Sequence, residues 1–93
     1  MSELKKNLTK NVTVTNELGL HARPAAMLAG LAAQAESGVW MIKNGEKVDA
    51  SSIIDILSLS CLNGSKITLR VENPADIKIL NKMVALFNKG FKE

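Results

Sequence analysis

Apolar and polar residues alternate in some stretches of this chain and recur every three to four residues in others. The two periods divide it into elements. In "NVTVT", residues 11–15, Val12 and Val14 alternate with Thr13 and Thr15, which predicts a half-buried strand. From Ala22 to about Glu36 the chain is rich in alanine and leucine, with Ala25, Leu28, Ala32 and Ala35 at helical spacing. Pro24 fits that helix only in its first turn, where a missing N–H is tolerated. Small alanines on the inner face predict that the helix lies close to a sheet. "VWMIK", residues 39–43, and "EKVD", residues 46–49, read as strands joined by Asn44-Gly45, a strong hairpin signal. Alternation puts Val39 and Met41 on the inner face of the sheet, and Trp40 and Ile42 on the other.

Ser51 or Ser52 can cap a second helix, with Asp55 three residues beyond Ser52 as a capping-box partner. That helix is short and is expected to end near Cys61, ahead of Asn63-Gly64. In "SKITLRV", residues 65–71, Ile67, Leu69 and Val71 alternate with Lys66, Thr68 and Arg70, which predicts a strand. The last segment opens with Asn73 as cap and Pro74 at the first helical position. It carries Ile77, Leu80, Val84 and Phe87 on one stripe and ends at Gly90. The order is βαββαβα. Strands with one apolar face want helices on one side only, so the expected class is α+β, in two layers. The 93 residues suit a single domain over residues 11–93, with residues 1–10 as a short flexible lead-in.

Composition narrows the classes of function. With 46% hydrophobic but only 3% aromatic residues, the core must be aliphatic. The net charge of +3 comes from scattered lysines rather than a dense patch, and no tyrosine is present. Nucleic-acid binding would want clustered Lys/Arg with stacking aromatics, so it is not expected. One cysteine, Cys61, rules out an internal disulfide, and one histidine with one cysteine gives no zinc set. The start lacks an apolar signal region and no apolar run approaches a membrane span. These features lead us to expect a soluble, cytoplasmic, monomeric protein without metal or cofactor.

The chemistry concentrates in "TNELGLHARPAAML", residues 15–28, around His21, the only histidine. A lone histidine is usually a structural residue satisfied by a hydrogen bond. Here it stands at the mouth of a helix, where unpaired backbone N–H groups and the helix dipole favour an anion. Arg23 adds a fork of donors matched to phosphate oxygens, and Pro24 stiffens the turn. General-base work would want an orienting carboxylate, and only Glu17 is close in sequence. On these residues alone, a structural imidazole and a phosphoryl acceptor both stay open.

The string "GLHARPA", residues 19–25, followed by "NGEKVDASSIIDILSL", residues 44–59, resembles the HPr phosphocarrier family of the bacterial sugar phosphotransferase system. The resemblance runs from about Asn11 to Phe91. It implies an open-faced β-sandwich, with four antiparallel strands in order 1-4-2-3 and three helices on one face. It also implies that His21 accepts a phosphoryl group on Nδ1 from phosphorylated Enzyme I. His21 would then pass the group to sugar-specific IIA proteins, making the chain a stoichiometric carrier rather than an enzyme. By the same resemblance Arg23 contacts the phosphoryl group and Pro24 completes the motif. Ser52 takes the place of the regulatory serine used by HPr kinase/phosphorylase and read by a transcriptional regulator. Leu20, Ile53, Ile54 and Leu57 correspond to the apolar docking patch for partners. The chain has Ser60 where the family often has glycine, and a few extra residues before the first strand. A nitrogen-related branch of the family shares the motif and is the alternative; a regulatory relative without the active histidine is disfavoured because His21 is present.

Overall fold

The computed structural model describes residues 8–92 of the chain. The order of elements is β1 (Thr9–Thr13), α1 (Ala22–Ala32), β2 (Val39–Lys43), β3 (Glu46–Asp49), α2 (Ile53–Ser58), β4 (Lys66–Val71) and α3 (Ile77–Asn88). A single 3₁₀ turn, Pro74–Asp76, leads into α3. The strands form one antiparallel sheet in the order β1-β4-β2-β3. This is the expected βαββαβα, α+β architecture with strand order 1-4-2-3.

The core follows from the alternation. Val12, Val39, Met41, Ile67, Leu69 and Val71 point from the sheet into a buried cluster. Ala25, Leu28, Ala29 and Ala32 of α1, Ile56 of α2, and Leu80, Met83 and Phe87 of α3 complete it from the helical side. The opposite sheet face is polar or half-exposed. There Thr68 Oγ1 donates to Asn11 Oδ1 at 2.9 Å, across a register pair. Trp40 lies half-buried on this face, as its strand parity predicts. Its Nε1 donates to Glu72 Oε2 at 2.8 Å, and Lys47 Nζ sits 4.6 Å from its ring centroid.

Several boundaries differ from those expected. The first strand begins at Thr9, because Thr9 and Lys10 pair with Arg70 and Leu69. The lead-in expected over residues 1–10 therefore overlaps the sheet at its end, and its first seven residues lie outside the described ones. Helix α1 stops at Ala32 rather than near Glu36. Gln34 and Ala35 donate to the carbonyls three residues back, tightening the chain. The N–H groups of Glu36 and Ser37 then leave the helix for the buried Asp76 carboxylate, at 2.8 and 2.9 Å. Helix α2 ends at Ser58. Lys43 Nζ donates to the carbonyls of Leu59 at 3.0 Å and Ser60 at 2.8 Å, satisfying groups that helix ends leave open. Ser60 itself takes φ +52°, the left-handed region that glycine enters most easily. In α3 the buried stripe is Leu80, Met83 and Phe87, while Ile77 and Val84 flank it, because Asp76 occupies the inner position before the helix.

Candidate functional site

Helix α1 starts at an extended His21, whose carbonyl accepts the Ala25 N–H at 3.0 Å. The imidazole makes no capping hydrogen bond and is exposed. An N-cap histidine that does not cap is unusual, since that position favours a side-chain oxygen bonded to the first turn. Ala22 and Arg23 follow in the first turn, where amides have no intrahelical acceptor. Pro24 is buried and carries no amide, so it anchors the turn without adding an orphan donor.

The loop ahead of the helix is held by backbone. Gly19 N–H donates to Asn16 O at 3.1 Å, closing a tight turn. Gly19 has φ +70°, and a Cβ there would meet the Cys61 carbonyl at 2.5 Å. Leu20 N–H reaches that same Cys61 carbonyl at 2.8 Å. The loop is thus stacked against the segment between α2 and β4. Cys61 is buried, and burial pushes its thiol pKa up, with Lys43 opposing the shift.

His21, Arg23 and Pro24 share one shallow depression of about 360 Å³ with Asn16, Glu17, Leu18 and the Gly90–Phe91 turn. That turn is rigid. Phe91 N–H donates to Leu86 O at 2.8 Å and Gly90 N–H to Phe87 O at 3.0 Å, the two bonds of a Schellman cap. The Phe91 ring also meets Phe87 edge-on at 4.9 Å between centroids. The hollow is open to solvent and carries the histidine, the arginine and a helix N-terminus, a set suited to a small anion attached to nitrogen.

The remaining expected residues separate into two groups. Ser52 is the N-cap of α2 and its Oγ accepts the Asp55 N–H at 3.1 Å. The reciprocal arm of the capping box is replaced: Ser52 N–H donates to Asp49 O at 3.1 Å. Ile53, Ile54 and Leu57 are exposed, Ile54 at 78%. Leu20 does not join them. It is 5% exposed, because the Gly19 turn and the bond to Cys61 rotate its side chain into the core. Two residues not anticipated take the exposed role: Leu18 at 73%, on the rim of the His21 depression, and Leu62 at 70%, beside Gly19. Their signal was an apolar residue in a polar turn, next to Glu17 and Asn63 respectively. α2 packs against α1, so Ile53, Ile54 and Leu57 lie on the helical layer that also carries His21. Among the described residues, no helix is long and apolar enough to cross a membrane.

Residues 8–89 match the family model described as "PTS HPr component phosphorylation site". The phosphocarrier protein HPr of Cupriavidus necator is 38% identical over 86 residues, 92% of this chain and 97% of that protein. The phosphocarrier protein NPr of Klebsiella oxytoca is 35% identical over 85 residues, 90% of this chain and 94% of that protein. Among solved structures, HPr-C-His from Thermoanaerobacter tengcongensis superposes with a TM-score of 0.85 at 33% identity, covering 91% of this chain and 96% of that one.

Proposed function

Because the chain belongs to the HPr family of phosphotransferase-system phosphocarriers, we propose that His21 is its phosphoryl acceptor. The donor is phosphorylated Enzyme I and the recipients are IIA proteins or domains. The observation that carries this reading is the N-cap imidazole left without a capping bond beside Arg23, in one open depression. In the transfer, the Nδ1 lone pair attacks phosphorus while the donor nitrogen leaves with the P–N bond pair. The ring keeps its proton on Nε2. Charge on the three phosphoryl oxygens is met by Arg23 and by the first-turn amides of α1. A hydrogen bond to a charged group contributes about 1.5–3 kcal/mol, so one arginine and a helix end hold the group without trapping it. The protein is then modified stoichiometrically, in the cytoplasm, and handed between catalysts.

Ile53, Ile54 and Leu57, extended by Leu18 and Leu62, form the surface that partners cover during transfer. Ser52, at the edge of that surface, is the candidate for a serine kinase and for recognition by a regulator. Relatives named HPr and relatives named NPr match to similar extents. The sugar branch is favoured here by Ser52 with its apolar neighbours; the nitrogen-related branch is the second reading. Incubation with phosphoenolpyruvate and Enzyme I, followed by mass measurement, should give one acid-labile phosphoryl group per chain. His21→Ala should give none. A label that survives acid, or that persists in His21→Ala, refutes the assignment.

A further inference from the structure

We infer that Asn16 and Asn63 act together as a clamp that aims the His21 imidazole, an inference that rests on the reading of His21 as phosphoryl acceptor. Asn16 lines the His21 depression, but its side-chain hydrogen bond, like those of Asn63, goes to backbone carbonyls. Both act on the backbone of the loop that carries the ring, so they are positioning residues.

The contacts converge on two carbonyls. Asn16 Nδ2 donates to the Gly19 carbonyl, and His21 N–H donates to that same oxygen at 3.0 Å. The peptide ahead of Leu20 is thereby held by two donors from one side. The Asn16 carbonyl in turn accepts Gly19 N–H at 3.1 Å and Asn63 Nδ2 at 3.2 Å. Asn63 Nδ2 also reaches the Thr15 carbonyl at 3.1 Å. One amide thus ties the loop internally, and the other ties it to the segment before β4. The orientation of the Asn16 amide is fixed by its partner, since a carbonyl oxygen can face only the NH₂ group.

The cost of this arrangement is informative. Asn16 Oδ1 is buried and finds no hydrogen-bond partner among the described residues. Such an orphan acceptor works against stability, and a native structure carries few of them. The one hydrogen bond this side chain makes is spent on the Gly19 carbonyl, two residues before the imidazole. The effect should be large because transfer needs the reacting nitrogen aligned with phosphorus at near-contact distance, and small misplacements slow such steps steeply.

Asn16→Asp keeps the shape of the side chain but turns the donor into an acceptor facing the Gly19 oxygen. Asn63→Asp does the same to the Thr15 and Asn16 carbonyls, at an exposed position. The assay is the steady-state rate of phosphoryl transfer from Enzyme I, with the site of labelling mapped and the melting temperature taken for each variant. We expect both variants to be labelled at His21 with kcat reduced about tenfold or more. Asn16→Ala and Asn63→Ala, which remove the same donors without adding charge beside the anion site or Leu62, should show the same kcat loss, with KM within about twofold of wild type. The ring resonances of His21 should shift in both variants. Wild-type kcat in both overturns the clamp, and so does a loss confined to KM, which would place the asparagines in docking. If Asn16→Asp fails to fold, Asn63→Asp alone decides by the same criteria. Label absent from His21 in the wild type removes the functional reading and the clamp with it; label present with unperturbed variants removes the clamp alone.

Discussion

Replacing Gly19 by alanine tests whether the loop before His21 is truly stacked on the chain at Cys61. Two costs arise. An L-residue at φ +70° is disfavoured by roughly 1–2 kcal/mol relative to glycine. The added Cβ would also stand 2.5 Å from the Cys61 carbonyl oxygen and 3.0 Å from the Leu62 Cα, both backbone atoms that cannot swing aside. The loop must lift, and the 2.8 Å bond from Leu20 N–H to Cys61 O goes with it, for about 1 kcal/mol more. Exposure of the Leu20 side chain adds to this. A total of about 2–4 kcal/mol lowers the melting temperature of a domain this size by about 10–25 °C. Gly45→Ala is the control, since Gly45 has φ +84° but open space around its missing Cβ. It incurs the conformational cost without the clash. Thermal melts of the two variants, followed by circular dichroism, isolate the clash as their difference. Equal melting temperatures would refute the close approach, and with it the account of how the loop is fixed.

Arg23→Lys should still be labelled by Enzyme I, but with transfer slowed by on the order of tenfold, since lysine keeps the charge and loses the planar fork; equal rates in a single-turnover assay would show the fork to be irrelevant. Asp76→Asn should cost about 2 kcal/mol in a denaturant melt, because Asp76 is 2% exposed and its carboxylate receives both Glu36 N–H and Ser37 N–H. An unchanged midpoint would mean that water replaces those bonds at no cost. Ser52→Asp should leave the melting temperature within a few degrees, since aspartate also caps helices. It should slow phosphorylation by Enzyme I several-fold, because the new charge borders Ile53, Ile54 and Leu57, the exposed apolar residues proposed for docking, and must lose water when a partner covers them. A wild-type rate in that variant would sink the regulatory assignment, and a collapsed melting temperature would show Ser52 to be structural first.

The sheet was legible because its signals are local. Alternation in "VWMIK" and "KITLRV" needs only neighbouring residues, and Asn44 and Gly45, both with positive φ, make the turn that their pair predicts. The ends of elements were not, because they are set by distant partners. Helix α1 continues in composition to Ala35, yet Asp76 draws the chain away at Glu36 and Ser37. Strand β1 takes in the polar Thr9 and Lys10 because Arg70 and Leu69 offer them a ladder. The stripe on α3 was misread by one position, at Val84 instead of Met83. Counting from Ile77 ignores that the inner place before it belongs to Asp76.

The site divides in the same way. His21, Arg23 and Pro24 lie within four residues, and a helix start turns that nearness in sequence into nearness in space, so the grouping on which the proposed chemistry rests is legible in a string. The family resemblance is what places Leu20 in the docking surface. Whether it faces outward depends on Gly19 entering the left-handed region and on Cys61 accepting the Leu20 amide, neither of which is visible at Leu20 itself. The aim of the imidazole is more remote still. Asn63 holds the Asn16 carbonyl from 47 positions away, and nothing in the composition near either asparagine marks the pair. On the proposed reading, reactivity is a local property of a helix mouth. Accuracy of transfer is a tertiary one, carried by residues that a motif does not contain.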